Sequence, residues 1–430
     1  MQSEHKYLWL SASLLAMSTV SSPVLAKNVT QEIEDALNFY HYGKNGAVKF
    51  DLNYRWENVD QDNVLGANGK PAAIQPHTAN GNTARLRLGL LSPIFYGLQG
   101  YAEYEGNLAM QEDYNSTRNG NTGYSTIADP DHSELNQLWI NYTGIPDTEI
   151  KGGRQRIKLD DDRFIGNVGW RQMETTFDAV LLTHKNQQLF GLTINAGYIG
   201  NVNTFTATTE NINAPILNLN YKVGDYGNAV AYGYWLDYTE KDTYEKSSQT
   251  YGVKFSNYQK PGDTLKITDD LGVVYTAEYS YQQDYGHGVT HYAADRLNLM
   301  GGVTAFNFTL QGAMEQLDGR GLNKTFDTPL GTNHAFQGWA DLFLVTPVNG
   351  VRDVFGTLIG QFDQGNTIAT FVYHDFTDDT GSLHYGKEYD AQVLKKFGKH
   401  YSLLAKYAFY DADQFGTDTQ KIWLQANISF

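Results

Sequence analysis

From Val48 to Glu57 the chain alternates without a slip. Val48, Phe50, Leu52, Tyr54 and Trp56 are apolar or aromatic, while Lys49, Asp51, Asn53, Arg55 and Glu57 between them are polar. A period of two marks a strand whose two faces meet different surroundings. The rhythm returns down the chain. Leu86, Leu88 and Leu90 stand against Arg85 and Arg87, and Leu98, Ala102, Tyr104 and Leu108 against Glu103 and Glu105. Phe190, Leu192, Ile194, Ala196 and Tyr198 stand against Thr193 and Asn195. In "AVAYGYWLDY" (229–238) the residues Val230, Tyr232, Tyr234, Leu236 and Tyr238 share one side. "YSLLAKYAFY" (401–410) and the terminal "KIWLQANISF" (421–430) repeat the pattern, and the second ends on Phe430. Runs of roughly ten residues are long enough to cross a bilayer as tilted strands.

Such strands build either a soluble sandwich or a membrane barrel. In a sandwich the apolar face is the core. In a membrane barrel it meets lipid, the polar face lines a wet lumen, and aromatic residues gather at the two interfaces. Here Tyr54, Trp56, Trp139, Tyr142, Trp235 and Tyr238 sit at strand ends, which favours the barrel. Connection lengths are a second sign, because barrels alternate short periplasmic turns with longer extracellular loops. The connections 58–82, 108–133, 159–173, 200–214, 316–350 and 376–385 read as long. "LSPIFYG", "TGIPDT", "KNQQ", "KVGDYGN", "MGGV", "DQGN" and "FGKH" read as short turns between them. "SNYQKPGDTLKITDDLG" (256–272) is long where a short turn is due. The expected fold is all-β: one transmembrane antiparallel barrel of about 18 strands, an even number as such chains require. The terminal strand is expected to close it against Val48–Glu57, leaving no free edge.

Composition narrows the class. Glycine (42), tyrosine (30) and a 19% charged fraction favour strands and turns. Outside the N-terminus no run of apolar residues is long enough for a transmembrane helix. "KYLWLSASLLAMSTVSSPVLA" has the basic start, apolar stretch and small-residue end of a secretory signal, with cleavage expected after Ala26. The predicted organisation is therefore a signal peptide over 1–26, a short periplasmic segment over 27–45 and a barrel over 46–430. "TQEIEDALNFY" (30–40) is a helix candidate capped by Thr30. The absence of cysteine excludes a disulfide framework, thiolate metal sites and a cysteine nucleophile. A net charge of -16 argues against nucleic-acid binding and favours cations in a pore, unless the charge sits in the loops.

Candidate chemistry lies on the polar faces. Arg55, Arg85 and Arg87 come from adjacent strands, with Glu103 and Glu105 on the next. Opposite charges on neighbouring strands pair, and their fields sort ions at close quarters. The segment 152–180 is denser, with Arg154, Arg156, Lys158, Arg163 and Arg171 beside Asp160, Asp161, Asp162 and Asp178. If Phe177, Ala179 and Leu181 face lipid, Asp178 faces inward, and so charged a loop is expected to fold into the pore and narrow it. "DPDHSE" (129–134) and "DADQFG" (411–416) begin like calcium loops but lack the later ligands. No G-x-S-x-G or H-E-x-x-H occurs, and His184, His374 and His384 show no partner spacing. No catalytic residue, metal ligand or cofactor is assigned.

Three segments carry a family likeness: "GGRQRI" (152–157), "GWRQMETTFDAV" (169–180), and "FDTPLGTNHAFQGWADLFL" (326–344) followed by "GVRD" (350–353). Through them the chain resembles the alginate-export-type outer-membrane barrels, from "EDALNFY" to its end. The resemblance implies a monomeric barrel of the same strand number whose loops partly occlude the lumen. It implies a constriction containing Arg154, Arg171 and Asp178. It also implies that barrel assembly machinery reads Phe430. The alginate exporter itself passes an anionic polysaccharide through an Arg-rich constriction, aided by periplasmic partners. The inward acids Asp51, Glu57, Glu103 and Glu105 depart from an all-basic path. The reading is a porin-like channel in the outer membrane of a Gram-negative bacterium, in contact with membrane lipid and lipopolysaccharide, passing small polar or charged solutes. The alternatives are an exporter of an anionic polysaccharide, or a barrel serving only to anchor an enzyme or adhesin.

Overall fold

The computed structural model describes residues 41–42, 46–62, 76–186, 191–288, 290–319 and 324–430. The signal peptide 1–26, the helix candidate 30–40, Phe190 and parts of the first connection and of "KNQQ" lie outside the described residues. Among these residues one antiparallel sheet closes on itself. Its wall has eighteen strands. They are β1 (Gly46–Gln61), β2 (Ala79–Leu91), β3 (Leu98–Asp113), β4 (His132–Tyr142), β5 (Thr148–Gln155) and β6 (Thr176–Asn186). Then follow β7 (Leu192–Asn203), β8 (Thr209–Lys222), β9 (Asn228–Tyr238), β10 (Ser248–Ser256), β11 (Leu271–Gln283) and β12 (Ala293–Ala305). The last are β13 (Phe308–Leu317), β14 (Val351–Phe362), β15 (Thr367–Thr377), β16 (His384–Phe397), β17 (Tyr401–Ala412) and β18 (Thr419–Ser429). Two two-residue strands, His41–Tyr42 and Leu265–Lys266, pair onto β1 and β11.

Closure is where the alternation placed it. β18 pairs with β1 from Asp51↔Ser429 to Gln61↔Thr419. Phe430 adds a last rung, its N–H donating to the Phe50 carbonyl at 2.8 Å. Its ring stacks on His400 at 4.4 Å. The outer face carries exposed Leu90, Leu108, Ile140, Leu310 and Leu424. Toward the long-loop end this belt is edged by tyrosines that reach polar partners: Tyr54 to Asn82 (2.7 Å), Tyr104 to Ser133 (2.9 Å), Tyr198 to Asn213 (2.8 Å) and Tyr279 to Asp295 (2.6 Å). An apolar ring ending in a hydrogen-bonding hydroxyl suits a lipid–water boundary.

Toward the long-loop end of β6 and β8, and along the whole of β9, the inward face is apolar. On β9, Val230, Tyr232, Tyr234, Leu236 and Tyr238 are buried inside the barrel, not facing lipid. Ala229, Ala231 and Trp235 take the outer face. Phe177 and Ala179 of β6 likewise turn inward, so Asp178 turns outward, the reverse of the sequence expectation. Asn211, Asn213 and Pro215 of β8 are exposed while Ile212, Ala214 and Ile216 are buried. The reason is physical. Past the lipid the outer faces of β6 and β8 meet water, so their apolar faces turn inward. On β9 the inward aromatic face is covered even at lipid depth by the 156–175 loop, with the Phe164 ring 5.0 Å from that of Tyr232. Bulges at Asp178/Ala179 and Ile199/Asn201 adjust the register there. Because the chain has no cysteine, single thiols test the inversion. In the folded barrel Ala231→Cys should react with a lipid-soluble maleimide, and Tyr232→Cys only after unfolding. The opposite pattern would restore the periodicity reading.

Two turns also differ from expectation. "MGGV" lies within β12, and the turn is Phe306–Asn307. Gly302 is a close-approach residue, since a Cβ there would lie 2.4 Å from the Leu310 carbonyl. The 200–214 connection shortens to 204–208, because its Thr- and Asn-rich ends extend the ladder between β7 and β8. The 257–270 connection stays long at the short-turn end. It brings Tyr258 beside Gln311 and Gly262 close to Gln361.

Candidate functional site

Among the described residues two segments from the long-loop end fold into the lumen, 156–175 after β5 and 324–350 after β13. Each has a dry seat. Ile157, Leu159 and Ile165 pack on the inward apolar faces of β6–β9. Phe326, Ala340 and Phe343 pack on Val351, Phe376, Tyr385 and Tyr410 of β14–β17. Burying each such side chain contributes about 1.5–3 kcal/mol, enough to hold a loop off water. The loops also zip to each other. The Gly166 N–H donates to the Leu330 carbonyl at 2.9 Å, and the Thr332 N–H to the Asp162 carbonyl at 2.9 Å. This close approach explains the Pro-Leu-Gly-Thr run, because a Cβ on Gly331 would lie 2.2 Å from the Arg163 carbonyl oxygen. The Gly-Trp-Ala-Asp run has a similar origin. Gly338, at φ +81°, sits against Glu388, and the next two N–H groups donate to Asp390 (3.2 Å) and Glu388 (2.6 Å) of β16.

Three charged hubs fasten the loops to the wall. Arg171 lies 3.0 Å from Glu57 on β1, 3.6 Å from Asp129 and 3.3 Å from Asp341 of the other loop, and Lys421 on β18 reaches the same Asp341 at 2.8 Å. On the opposite wall Glu315 takes Arg163 at 3.1 Å, Arg296 at 2.6 Å and the amide of Gln337, while Arg296 also faces Glu278 at 3.0 Å. A third hub centres on Glu174, which takes Arg156 at 2.5 Å and Asn167 at 2.6 Å. Arg87 pairs with Glu105, and Arg156 also reaches Glu103 at 2.9 Å.

An aromatic clasp lies beside the first hub. His334 stacks on Trp170 at 4.4 Å. The Lys406 ammonium sits 4.2 Å from the Trp170 ring and 3.8 Å from that of Trp339, and Arg55 lies over Trp170 at 4.3 Å while donating to its carbonyl. Burial, helped by the neighbouring Lys406 charge, lowers the His334 imidazole to about 3, so it is neutral at pH 7. Its Nε2 then accepts from Lys406 at 2.7 Å, and its Nδ1–H donates to Asp341 at 2.6 Å. Burial would raise the Asp341 carboxyl, yet His334, Lys421 and Arg171 hold it well below the usual carboxylate range.

The structure brings eight of the ten predicted lumen residues inward: Arg55, Arg85, Arg87, Glu103, Glu105, Arg156, Arg163 and Arg171. Arg154 and Asp178 are not among them. They pair with each other at 2.8 Å on the outer face, Arg154 opposite Leu138 and Asp178 two residues from exposed Val180. Sequence reasoning missed Asp129, Glu174, Glu278, Arg296, Glu315, His334, Asp341 and Lys406 as partners. Those on strands were visible as inward polar positions, but nothing local says that a loop 150 residues away supplies the opposite charge. Asp129, weighed as a calcium ligand, accepts the Gln172 N–H at 2.8 Å and faces Arg55 at 3.5 Å.

At the long-loop end the two loops leave a cavity of about 750 Å³. Arg171, Asp341, Lys421 and His334 line it, with Leu330 and Leu342 among the apolar walls.

A family model described as alginate export matches residues 49–282. By sequence the chain matches no curated protein. In fold it is similar to Pseudomonas aeruginosa OccK9 (OpdG), with a TM-score of 0.67 at 14% identity over 90% of this chain and 99% of that one. It is similar also to Acinetobacter baumannii OccAB2, with a TM-score of 0.67 at 14% identity over 90% and 98%. The outer membrane protein OpdK of Pseudomonas aeruginosa matches with a TM-score of 0.64 at 11% identity over 89% and 98%.

Proposed function

The chain belongs to the alginate export family, and from that membership and the loop-filled lumen we propose that it is a passive channel of the Gram-negative outer membrane for small polar or charged solutes. The observation that carries this reading is the mixed-charge cluster of Arg171, Asp341 and Lys421 at the base of an open cavity. A narrow passage ringed by both signs favours small solutes that satisfy either, because the fields act at close quarters. Of the inward charges Arg87 and Arg156 keep exposure to the lumen, and Arg55, Arg85, Glu103, Glu105, Arg163 and Arg171 brace the loops that narrow it. The short turns face the periplasm and the inward loops descend from outside, with a signal peptide removed before insertion. Fold alone does not choose the cargo. OpdK has been crystallised with vanillate, and a small organic acid is one solute to try here.

The second reading, export of an anionic polysaccharide, draws on the family. It needs a path that tolerates a continuous polyanion, whereas Glu57, Asp129, Asp341 and Glu174 all lie in this lumen. Planar-bilayer recordings separate the readings. The channel reading expects small, steady unitary currents with weak selectivity. Strong anion selectivity with current blocked by oligouronate would support export. No current from correctly folded barrels, before and after removal of the inward loops, would leave only an anchor.

A further inference from the structure

The two ends of the lumen differ in charge. Strand parity fixes which lysines face inward at the short-turn end. Lys49 of β1 lies over the inward Tyr101 ring at 5.2 Å. Lys185 of β6 lies two residues past Thr183, whose hydroxyl donates to the inward Asn195 at 2.8 Å. Lys222 ends β8 two residues past Asn220, the partner of Val230 inside the barrel. Lys396 of β16 stands opposite Ser402, which in turn faces Asn427 on the lumen wall. All four are exposed, and none makes an ion pair among the described residues. The inward acids at this depth are matched: Glu149 pairs with Lys151 at 3.0 Å, and Asp51 with Arg85. Asp363 pairs with Lys395 on the outer face. In the 257–270 connection Lys260 and Lys266 offset two of its three aspartates, Asp263, Asp269 and Asp270. Asp147, Asp225 and Lys399 lie in the turns, beyond the wall. The long-loop mouth has the other sign. Exposed Asp60, Asp113, Asp131, Asp242 and Asp413 stand around it, against exposed Arg118 and Lys241. Lys246 there is already paired with Glu210 at 2.6 Å. The negative charge of the chain thus crowds one mouth, while the lumen face at the other end is basic.

Resting on the channel reading, we propose that the pore rectifies, conducting better when the long-loop side is positive. Under that polarity cations enter through the acidic mouth and anions through the basic vestibule. Each ion comes from the end that concentrates it, so carriers of both signs fill the lumen. Under the reverse polarity each ion must enter through an end of its own sign, and the lumen is depleted. Wall charge acts well into the passage because the Debye length is about 10 Å in 0.1 M salt. The favoured movements are cations toward the short-turn end and anions away from it.

Open-channel currents of single barrels in planar bilayers test this. Ser382→Cys, exposed at the long-loop end, marks orientation in a chain without other thiols. A maleimide-linked polymer added to one side then perturbs only channels whose long loops face it. In 0.1 M KCl, at equal and opposite voltages, about twofold more current is expected with the long-loop side positive. In 1 M KCl, where the Debye length shrinks to about 3 Å, the asymmetry should vanish. The combined variant Lys49→Gln, Lys185→Gln, Lys222→Gln and Lys396→Gln should lower the ratio at 0.1 M. Lys395→Gln, on the lipid side next to Lys396, should leave it unchanged. Symmetric currents, or the larger current at the opposite polarity, would overturn the proposal and leave the channel reading in place. So would a ratio that survives 1 M salt or the four lysine changes. No current from the folded barrel would remove the channel reading and, with it, rectification.

Discussion

Arg171→Ala should raise unitary conductance in planar bilayers severalfold and shift selectivity toward cations. The Arg171 guanidinium is the ion-pair partner of Glu57, and it also reaches Asp129 and Asp341. Its removal leaves Glu57 buried without that partner, while Asp341 keeps Lys421 and Asp129 keeps Arg55; breaking a buried pair in this way costs about 3–5 kcal/mol. That exceeds what one apolar side chain of the loop returns on burial, so the 156–175 loop should swing from β1. The cluster then carries one positive charge fewer, with Glu57 uncompensated, and cations gain. Arg154→Ala is the control, because its side chain is outside the barrel and paired with Asp178. It should leave conductance and selectivity as they are. Native conductance in the Arg171 variant would mean that the loop does not restrict the path.

Glu315→Ala should cost the most in stability. This carboxylate holds Arg163 of one loop, Gln337 of the other and Arg296 of the wall. Arg296 and Arg163 are almost wholly buried, so the deletion leaves two guanidiniums in low dielectric with their direct carboxylate gone and Glu278 and Asp161 left to offset them. A loss of about 3–5 kcal/mol is expected, read as a lower midpoint for urea unfolding in lipid vesicles. Arg163 should also lose its hold on the wall, giving noisy currents as the loop moves. Glu315→Gln keeps the shape and one acceptor and should lie between. An unchanged unfolding midpoint in the alanine variant would show that the loop seats, not this hub, hold the lumen closed.

The site was half legible in the chain. Arg87 and Glu105 sit one and two strands from Arg55 on inward positions, and simple parity found them and the pairing of such neighbours. Parity failed at Asp178 and Arg154, because it assumed one polarity rule along the whole strand. It failed at Tyr232 and Tyr234 for the same reason. β9 offers apolar groups on both faces, aromatic on one and Ala, Gly and Trp on the other, so a period of two cannot say which is outside. The charge-rich loop 156–175 packs inside the barrel, and its partners Asp341, Glu315 and His334 lie far along the chain.

What the sequence determined alone is whatever depends on neighbours two residues apart. That covers strands, their number, the antiparallel order, the closing pair of β18 with β1, and a lumen lined by both signs of charge. What only the tertiary structure decided is what each face meets at each height. Water outside above the lipid sets where Phe177 and Asp178 point, and a folded loop inside the barrel sets where the β9 tyrosines point. The same long-range packing decides which acid meets which base, because an ion pair forms only between groups that the fold has already brought together.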